Sequence, residues 1–257
     1  MKKNVAGVSD AQLKQAYEDE VRIVPLKDVT RIATISSTPL TAASLSAFIS
    51  SAHSKVVLQI EAEEKNIAEE LYQMLTGQEK AETGNIAAGL WMTGRPQLAI
   101  YLLGKACIDN TADDNNINNY AAMLSMGGAE HLSVPLLNYI NKKFPANSTI
   151  LNNLGQAWFG LGDIAKAEKY LDSAIRIYAN HPQANHTKSF IEEEKGHKTE
   201  AVALVKKSLQ HSLSQDKEDR LRKLGDKMNV GDVSLPPKTK TDPLNLGSFV
   251  HPPFPKS

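Results

Sequence analysis

Four histidines fall late in the chain, at His181, His186, His197 and His211, and an oxygen-rich run, DNTADDNN, spans 109–116. Imidazoles and carboxylates are the usual ligands of zinc and calcium, so both patterns must be weighed against coordination spacing. His181 and His186 are five residues apart, and none of the short spacings sets two histidines on one helical face. They are expected to be solvated surface groups. The acidic run lacks the central glycine and closing glutamate of a calcium loop. It reads as a turn in which Asp113 or Asp114 caps the next helix. EEEKGH (192–197) reads as a charged face ending at another turn. The single cysteine, Cys107, occupies a mostly apolar slot, the position of a buried thiol and not of a nucleophile. There is no GxGxxG after a strand, no P-loop, no GxSxG and no HExxH. No catalytic residue, metal site or cofactor is therefore predicted, and the chain is not expected to be an enzyme.

The residues that ask for an explanation are amides. INNYA (117–121) and LNNLG (151–155) place a pair of asparagines at matching points 34 residues apart. Asparagine costs roughly 0.5–0.7 kcal/mol relative to alanine inside a helix. Its side chain both donates and accepts, so it can pair with a peptide N–H and C=O together.

Composition narrows the field. In 257 residues, 29 basic and 29 acidic side chains cancel, and aromatics make up only 6%, so no broad positive field or stacking surface for nucleic acid is expected. One cysteine cannot build a disulfide framework. No apolar run approaches the roughly 18–20 residues of a membrane span. MKKNVAGVSDAQLKQ carries two lysines without an apolar segment behind them, which is not the pattern of a signal peptide. A soluble, mostly helical protein is expected, cytoplasmic if this start is native and exported if a leader has been removed.

The amides belong to a period. Gly94, Gly128, Gly162 and Gly196 are each 34 residues apart. Five residues after each glycine come Ala99, Ser133, Ala167 and Ala201, and four further on Leu103, Leu137, Leu171 and Val205. Seven before it lie Ala87, Ala121, Gly155 and Ser189. Glycine allows the positive φ of a turn, small residues allow close helix approach, and aliphatic ones fill the space between hairpins. In 148–181, Asp163 can cap a second helix whose stripe is Ala167, Leu171 and Ala174.

This pattern resembles the tetratricopeptide repeat (TPR) family, whose unit is a 34-residue pair of antiparallel helices. The match is closest in 148–181 (Leu154, Gly155, Trp158, Gly162, Asp163, Ala167, Leu171, Ala174). It is good in 114–147 (Tyr120, Ala121, Leu124, Gly128, Leu137, Pro145) and recognisable in 80–113 (Ala87, Leu90, Gly94, Ala99, Leu103, Ala106). In 182–215 the second helix is kept (Ala201, Val205, Leu209), but Asn185, Lys188, Ser189 and Glu192 stand where the others carry an apolar stripe, which marks a degenerate terminal repeat. The resemblance implies an all-α fold, a right-handed helical-hairpin solenoid over 80–215, which is roughly half the chain.

Flanking elements complete the division. Residues 1–79 form an N-terminal region: a short helix capped by Ser9 or Asp10, an extended RIVPLKDVTRIATISS, a helix near 41–52 and a long helix over 55–76 ended by Gly77. The last two are expected to stack on the first repeat and cover its end, with Val57, Ile60, Ile67, Leu71 and Leu75 on one stripe. A charged helix over 216–230, with Leu221, Leu224 and Met228, closes the other end. The remainder, 231–257, holds six of the twelve prolines and is expected to be an extended or disordered tail, or a tether that docks on a partner or lies back on the protein.

At 100° per residue, Ile117, Tyr120, Ala121 and Leu124 share one sector of their helix, as do Leu151, Leu154, Gly155 and Trp158, and Thr83, Ile86, Ala87 and Leu90. Asn85, Asn119 and Asn153 point the other way, with Thr187 in the fourth copy, while Asn118 and Asn152 lie at the edge near Ala122 and Gln156. The resemblance implies that first helices line a concave groove. The candidate groove residues are then Asn85, Asn118, Asn119, Asn152, Asn153, Gln156, Met92 and Met126. Two roles stay open for the amides: holding an extended peptide by its backbone, or bracing neighbouring repeats. The lysines and arginines with which chaperone-binding members clamp a terminal carboxylate are missing; Gly84, Asn118, Asn152, Asn119, Glu82, Asn116 and Thr149 stand there. The expected partner is a protein or peptide, not nucleic acid and not a membrane. The alternatives are an accessory module of a larger exported or envelope assembly with the tail as its contact, and an enzyme with an unrecognised site.

Overall fold

Each hairpin turn is made the same way. Gly94, Gly128, Gly162 and Gly196 have φ of +82°, +83°, +68° and +81°. The residue after each glycine donates its backbone N–H to a carbonyl five residues earlier: Arg95 to Leu90, Ala129 to Leu124, Asp163 to Trp158 and His197 to Glu192, all at 2.8–3.0 Å. This is a Schellman stop, which a side chain with a Cβ resists. Repeating it every 34 residues repeats the hairpin.

The computed structural model describes residues 23–229, and the N-terminal helix and the proline-rich tail expected from sequence lie outside the described residues. Among the described residues there are thirteen helices and no strand. They are α1 (Val29–Ala33), α2 (Ala42–Val57), α3 (Ala62–Met74), α4 (Gly77–Ala81), α5 (Thr83–Met92), α6 (Pro96–Asp109), α7 (Asp114–Met126), α8 (Glu130–Lys143), α9 (Ser148–Gly160), α10 (Ile164–Ile177), α11 (Pro182–Glu194), α12 (Lys198–His211) and α13 (Gln215–Lys223).

Helices α5/α6, α7/α8, α9/α10 and α11/α12 form four hairpins, and each second helix also packs on the first helix of the next hairpin. First helices touch one another from hairpin to hairpin (α5–α7, α7–α9, α9–α11), whereas second helices approach less closely. A stack that is tight on one side and open on the other curves, with the first helices inside. The inward stripes are dry: Ile117, Tyr120, Ala121, Leu124, Leu154, Ala167, Leu171 and Ala174 are fully buried. Gly155 is needed for this contact, because a Cβ there would lie 2.7 Å from Cγ and Cδ2 of Leu171. Caps follow the sequence at two turns: Asp113 accepts from the Asn116 N–H (3.0 Å) and Asp163 from that of Lys166 (3.3 Å).

The region before the hairpins departs from expectation. The stretch 55–76 is not one helix: α2 continues to Val57, the chain turns through 58–61, and α3 begins at Ala62. Tertiary contacts explain the break. Val57 and Ile60 pack with Ala68, Leu98 and Tyr101, and the Glu61 N–H donates to the Gln97 side chain at 3.0 Å. α3 buries Ala68 and Tyr72, leaving Ile67 exposed, so the face in use is one residue away from the predicted stripe. Both helices lie on α6, the second helix of the first hairpin. α2 drives His53 into a notch left by Gly104, where the imidazole is flanked by Tyr101 (ring centroids 5.3 Å apart) and Tyr120 (6.2 Å).

Upstream, residues 23–35 run back along the turns. Val24 is buried, the Asp28 N–H donates to the Leu161 carbonyl (2.9 Å), and Arg31 donates to the Gly128 carbonyl (2.7 Å). At the far end, α13 packs on α12 and stops at Gly225 (φ +81°) with the Asp226 N–H on the Leu221 carbonyl. The closing helix thus ends with the same motif as a first helix of a repeat.

Candidate functional site: an amide chain on the first helices

Three of the asparagines are linked to one another. Asn153 in α9 donates to Oδ1 of Asn118 in α7 (3.2 Å), across the seam between the second and third hairpins. Asn152 donates to Oδ1 of Asn153 and Gln156 donates to Oδ1 of Asn152, each at 3.2 Å. The result is a directed chain, Gln156 to Asn152 to Asn153 to Asn118. Asn153 shares its slot in the repeat with Asn119, yet its bond to the preceding hairpin runs diagonally, to Asn118. Adjacent first helices are staggered, which brings position 118 and not 119 opposite 153.

Burial sorts the candidates. Asn118 is 2% exposed, Asn152 4% and Asn119 8%, while Asn153 and Gln156 are half-buried. Asn85 is exposed and donates to the Glu82 carboxylate of its own helix, taking no part in the chain. Met92 is 66% exposed; Met126, one repeat on, packs against the core. Asn116 is not among the expected groove residues, yet its amide sits directly over Gly84 of the preceding first helix, where a Cβ would lie 3.3 Å from its Cγ. It also donates to the Asp113 carboxylate (3.0 Å). Its signal in the sequence is a glycine close to one repeat before an asparagine.

The far end of the same face is aromatic and charged. Phe159 and Phe190 lie 6.2 Å apart and His186 stands edge-on to Phe190 at 5.2 Å. Arg220 of α13 stacks on Phe190 (3.5 Å), donates from Nε to Ser189 (2.8 Å) and pairs with Glu193 (2.9 Å).

Several titratable groups are buried in the packing. Burial pushes the Cys107 thiol well up, with Asp113 adding to the shift. His181 is not a surface residue, contrary to expectation: it is buried and its Nδ1 accepts from the Ala184 N–H (3.3 Å), capping α11. Burial, reinforced by Lys217, lowers its pKa to about 4, and the cap requires the neutral ring. His53 is lowered to about 4 by burial and Lys105. Lys217, buried with its ammonium on the Ser212 carbonyl (3.0 Å), is lowered to about 8 by burial. Among the described residues no cluster of histidine, cysteine and acidic side chains is placed to hold a metal, and no helix is long and apolar enough to cross a membrane.

A hairpin of this period, with this turn and this tight first-helix stack, defines the tetratricopeptide solenoid. A solved structure shares it. TTC0263, a thermophilic TPR protein of Thermus thermophilus, superposes with a TM-score of 0.52 at 17% identity, over 56% of this chain and 80% of that one. MamA aligns at a TM-score of 0.42 and 20% identity, over 56% of this chain and 81% of its own. No family model matches the sequence, and no curated protein matches it. The chain has the TPR fold.

Proposed function

We propose that the solenoid is a non-enzymatic scaffold that holds an extended segment of a partner protein along its first-helix face. The observation that carries this is the directed amide chain from Gln156 to Asn118. Each link uses one N–H and one oxygen, which leaves an open acceptor at Gln156, an open donor at Asn118 and a second N–H on each amide. Its members divide the work. Asn118, buried, accepts the bond that crosses between repeats and Asn152, buried, joins Gln156 to Asn153 within α9; Asn153 and Gln156, half-exposed, present their remaining hydrogen-bonding groups to a peptide backbone. Asn85 and Met92 extend the contact towards the first repeat, where exposed methionine suits a ligand side chain of adaptable shape. The face carries no cationic clamp, so the segment is bound by its length and not by a terminal carboxylate.

The test is selection of linear peptides from a displayed library on the wild-type chain, followed by affinities for Asn153→Ala/Gln156→Ala. Two hydrogen bonds at about 0.5–1.5 kcal/mol each correspond to a loss of roughly 5- to 150-fold. Unchanged affinity in the double variant would remove the groove from the account and leave the fold without its assigned surface.

A further inference from the structure

The segment before α2 crosses the repeats in reverse order. Residues 26–28 sit on the turn of the third hairpin, Arg31 on that of the second, and α2 on the second helix of the first. Its contact with the third turn is a backbone fit. A Cβ at Gly162 would lie 2.6 Å from the Lys27 nitrogen and closer still to the Leu26 carbonyl, whereas Cβ atoms at Gly94, Gly128 and Gly196 would meet nothing within 4 Å among the described residues. Gly162 therefore answers two demands, a positive φ and room for another chain segment, where its three counterparts answer one. The Asp28 N–H donates to the Leu161 carbonyl at 2.9 Å, and Lys27 pairs with Asp163 at 3.1 Å.

The contact with the second turn is made by one side chain. Arg31 donates to the Gly128 carbonyl and pairs with Glu130 at 2.5 Å. Glu130 in turn lies against Gly160 of the third hairpin, where a Cβ would come within 3.0 Å of its carboxyl carbon. Between the two anchor points the chain is a capped helical turn: Asp28 accepts from the Arg31 N–H (2.8 Å) and from its Nε (2.6 Å). The strap is thus a short rigid rung and not a slack loop. Among the described residues, the turn of the fourth hairpin has no such cover.

We propose that residues 24–35 are an intramolecular clamp that fixes the spacing of the second and third hairpins at their turn edge. The seam it spans is the one that the Asn153–Asn118 bond crosses on the groove face. This seam is held from two sides, and the groove over repeats 2 and 3 has one curvature in the free protein. The clamp does not depend on any ligand, so its test is separate from that of the groove.

Hydrogen exchange of the full chain, read by mass spectrometry, tests it. Lys27→Ala/Arg31→Ala changes two side chains of the strap that are partly exposed, at 55% and 33%, so folding of the solenoid is not at stake. The expected result is exchange at least tenfold faster at Asp28 and through 158–163, with 190–197 as in wild type. Gly162→Ala should do the same, while Gly196→Ala, which meets the same φ penalty without a strap, should loosen only its own turn. Wild-type exchange at both Asp28 and 158–163 in the double variant would overturn the clamp. So would equal local effects of Gly162→Ala and Gly196→Ala.

Discussion

Gly104 lies in the interior of α6, where glycine costs about 1 kcal/mol relative to alanine. By propensity alone, Gly104→Ala should stabilise the protein by that amount. The structure predicts the opposite sign. A Cβ at 104 would fall 2.7 Å from Cε1 and 3.0 Å from Cγ of His53, well inside ordinary contact. The ring has no retreat: it is 6% exposed, Tyr101 and Tyr120 flank it, the Tyr120 hydroxyl lies 3.4 Å from Nδ1, and Leu45, Ile49 and Ala52 anchor its helix. Overpacking of this kind costs roughly 1–3 kcal/mol or more. With so little freedom the upper part of that range applies, for a net destabilisation of about 1–2 kcal/mol. In a His53→Ala background the obstruction is gone, and Gly104→Ala should stabilise by about 1 kcal/mol. The coupling in the cycle is then about 2–3 kcal/mol. Gly89 in α5 is the control, since a Cβ there meets nothing within 4 Å among the described residues; Gly89→Ala should stabilise by about 0.5–1 kcal/mol. Urea unfolding, followed by helical circular dichroism and by fluorescence of Trp91 and Trp158, supplies the four free energies of the cycle and that of the control. If Gly104→Ala stabilises the wild type as much as Gly89→Ala does, the placement of α2 on α6 is wrong.

Two further outcomes follow from side chains already placed. His53 and His181 have folded pKa values of about 4 against an unfolded value near 6.5, so between these limits the unfolded chain binds more protons and stability rises with pH. Their full contribution is present above pH 6.5 and falls away as pH drops through 4. The loss is about 2 kcal/mol per histidine at pH 5 and about 3 kcal/mol at pH 4. A pH series of unfolding free energies should show this slope and His53→Gln should reduce it; a flat profile from pH 7 to 5 would refute the neutral buried rings. The Asn118→Ala/Asn153→Ala cycle should show a coupling of about 0.5–1.5 kcal/mol, and Asn119→Ala/Asn153→Ala should be additive within about 0.3–0.5 kcal/mol. Coupling at 119 instead of 118 would restore the straight ladder in place of the diagonal one.

The repeat is legible in the sequence because its determinants are local. A glycine that needs positive φ and a small residue facing an aliphatic one leave marks at fixed offsets, and these mark out the hairpins, their turns and the caps at Asp113 and Asp163. The Asn153–Asn118 pairing is not legible, since angular position on isolated helices says nothing about the stagger between them. The break at 58–61 is hidden for a related reason. The helical stripe through 55–76 is locally sound, and only packing of Val57 and Ile60 beside Leu98 and Tyr101 overrides it. The strap leaves a single trace, Gly162, which looks like every other turn glycine until another segment is found lying on it. His181 departs from expectation because surface histidine is the commoner case, whereas its place just before Pro182, which stands at the first turn of α11, is that of an N-cap.

The fourth hairpin shows how a repeat survives losing its apolar stripe, and what the loss does to the solenoid. Asn185 is fully buried and donates to the carbonyls of Ala179 (3.0 Å) and His181 (2.8 Å), while its own Oδ1 has no partner among the described residues. Buried Ser208 donates to the Pro182 carbonyl (2.6 Å), and buried Ser189 accepts from Arg220. Lys188 pairs with Asp172, and Glu192 with His197 at 2.8 Å. The polar face is therefore largely satisfied, but it adds no hydrophobic driving force. The main core runs without interruption from α2 to α11 and stops there; Ala201, Val205, Leu209, Leu221 and Leu224 form a separate cluster under α12 and α13. A net hydrogen bond contributes about 1 kcal/mol, against roughly 1.5–3 kcal/mol for a fully buried aliphatic side chain, so α11 and α12, though closely packed, gain less per buried group than the helices of the other hairpins. In a solenoid, where stability is a sum over neighbouring contacts, a less stable end sets where opening begins. The two ends are thus unequal by construction: a strap and a continuous core hold the first three hairpins, while the last adds a small separate apolar cluster and a set of buried hydrogen bonds. A segment bound along the groove would meet a preformed surface over repeats 2 and 3, so any ordering on binding should concentrate beyond the main core, in α12 and α13.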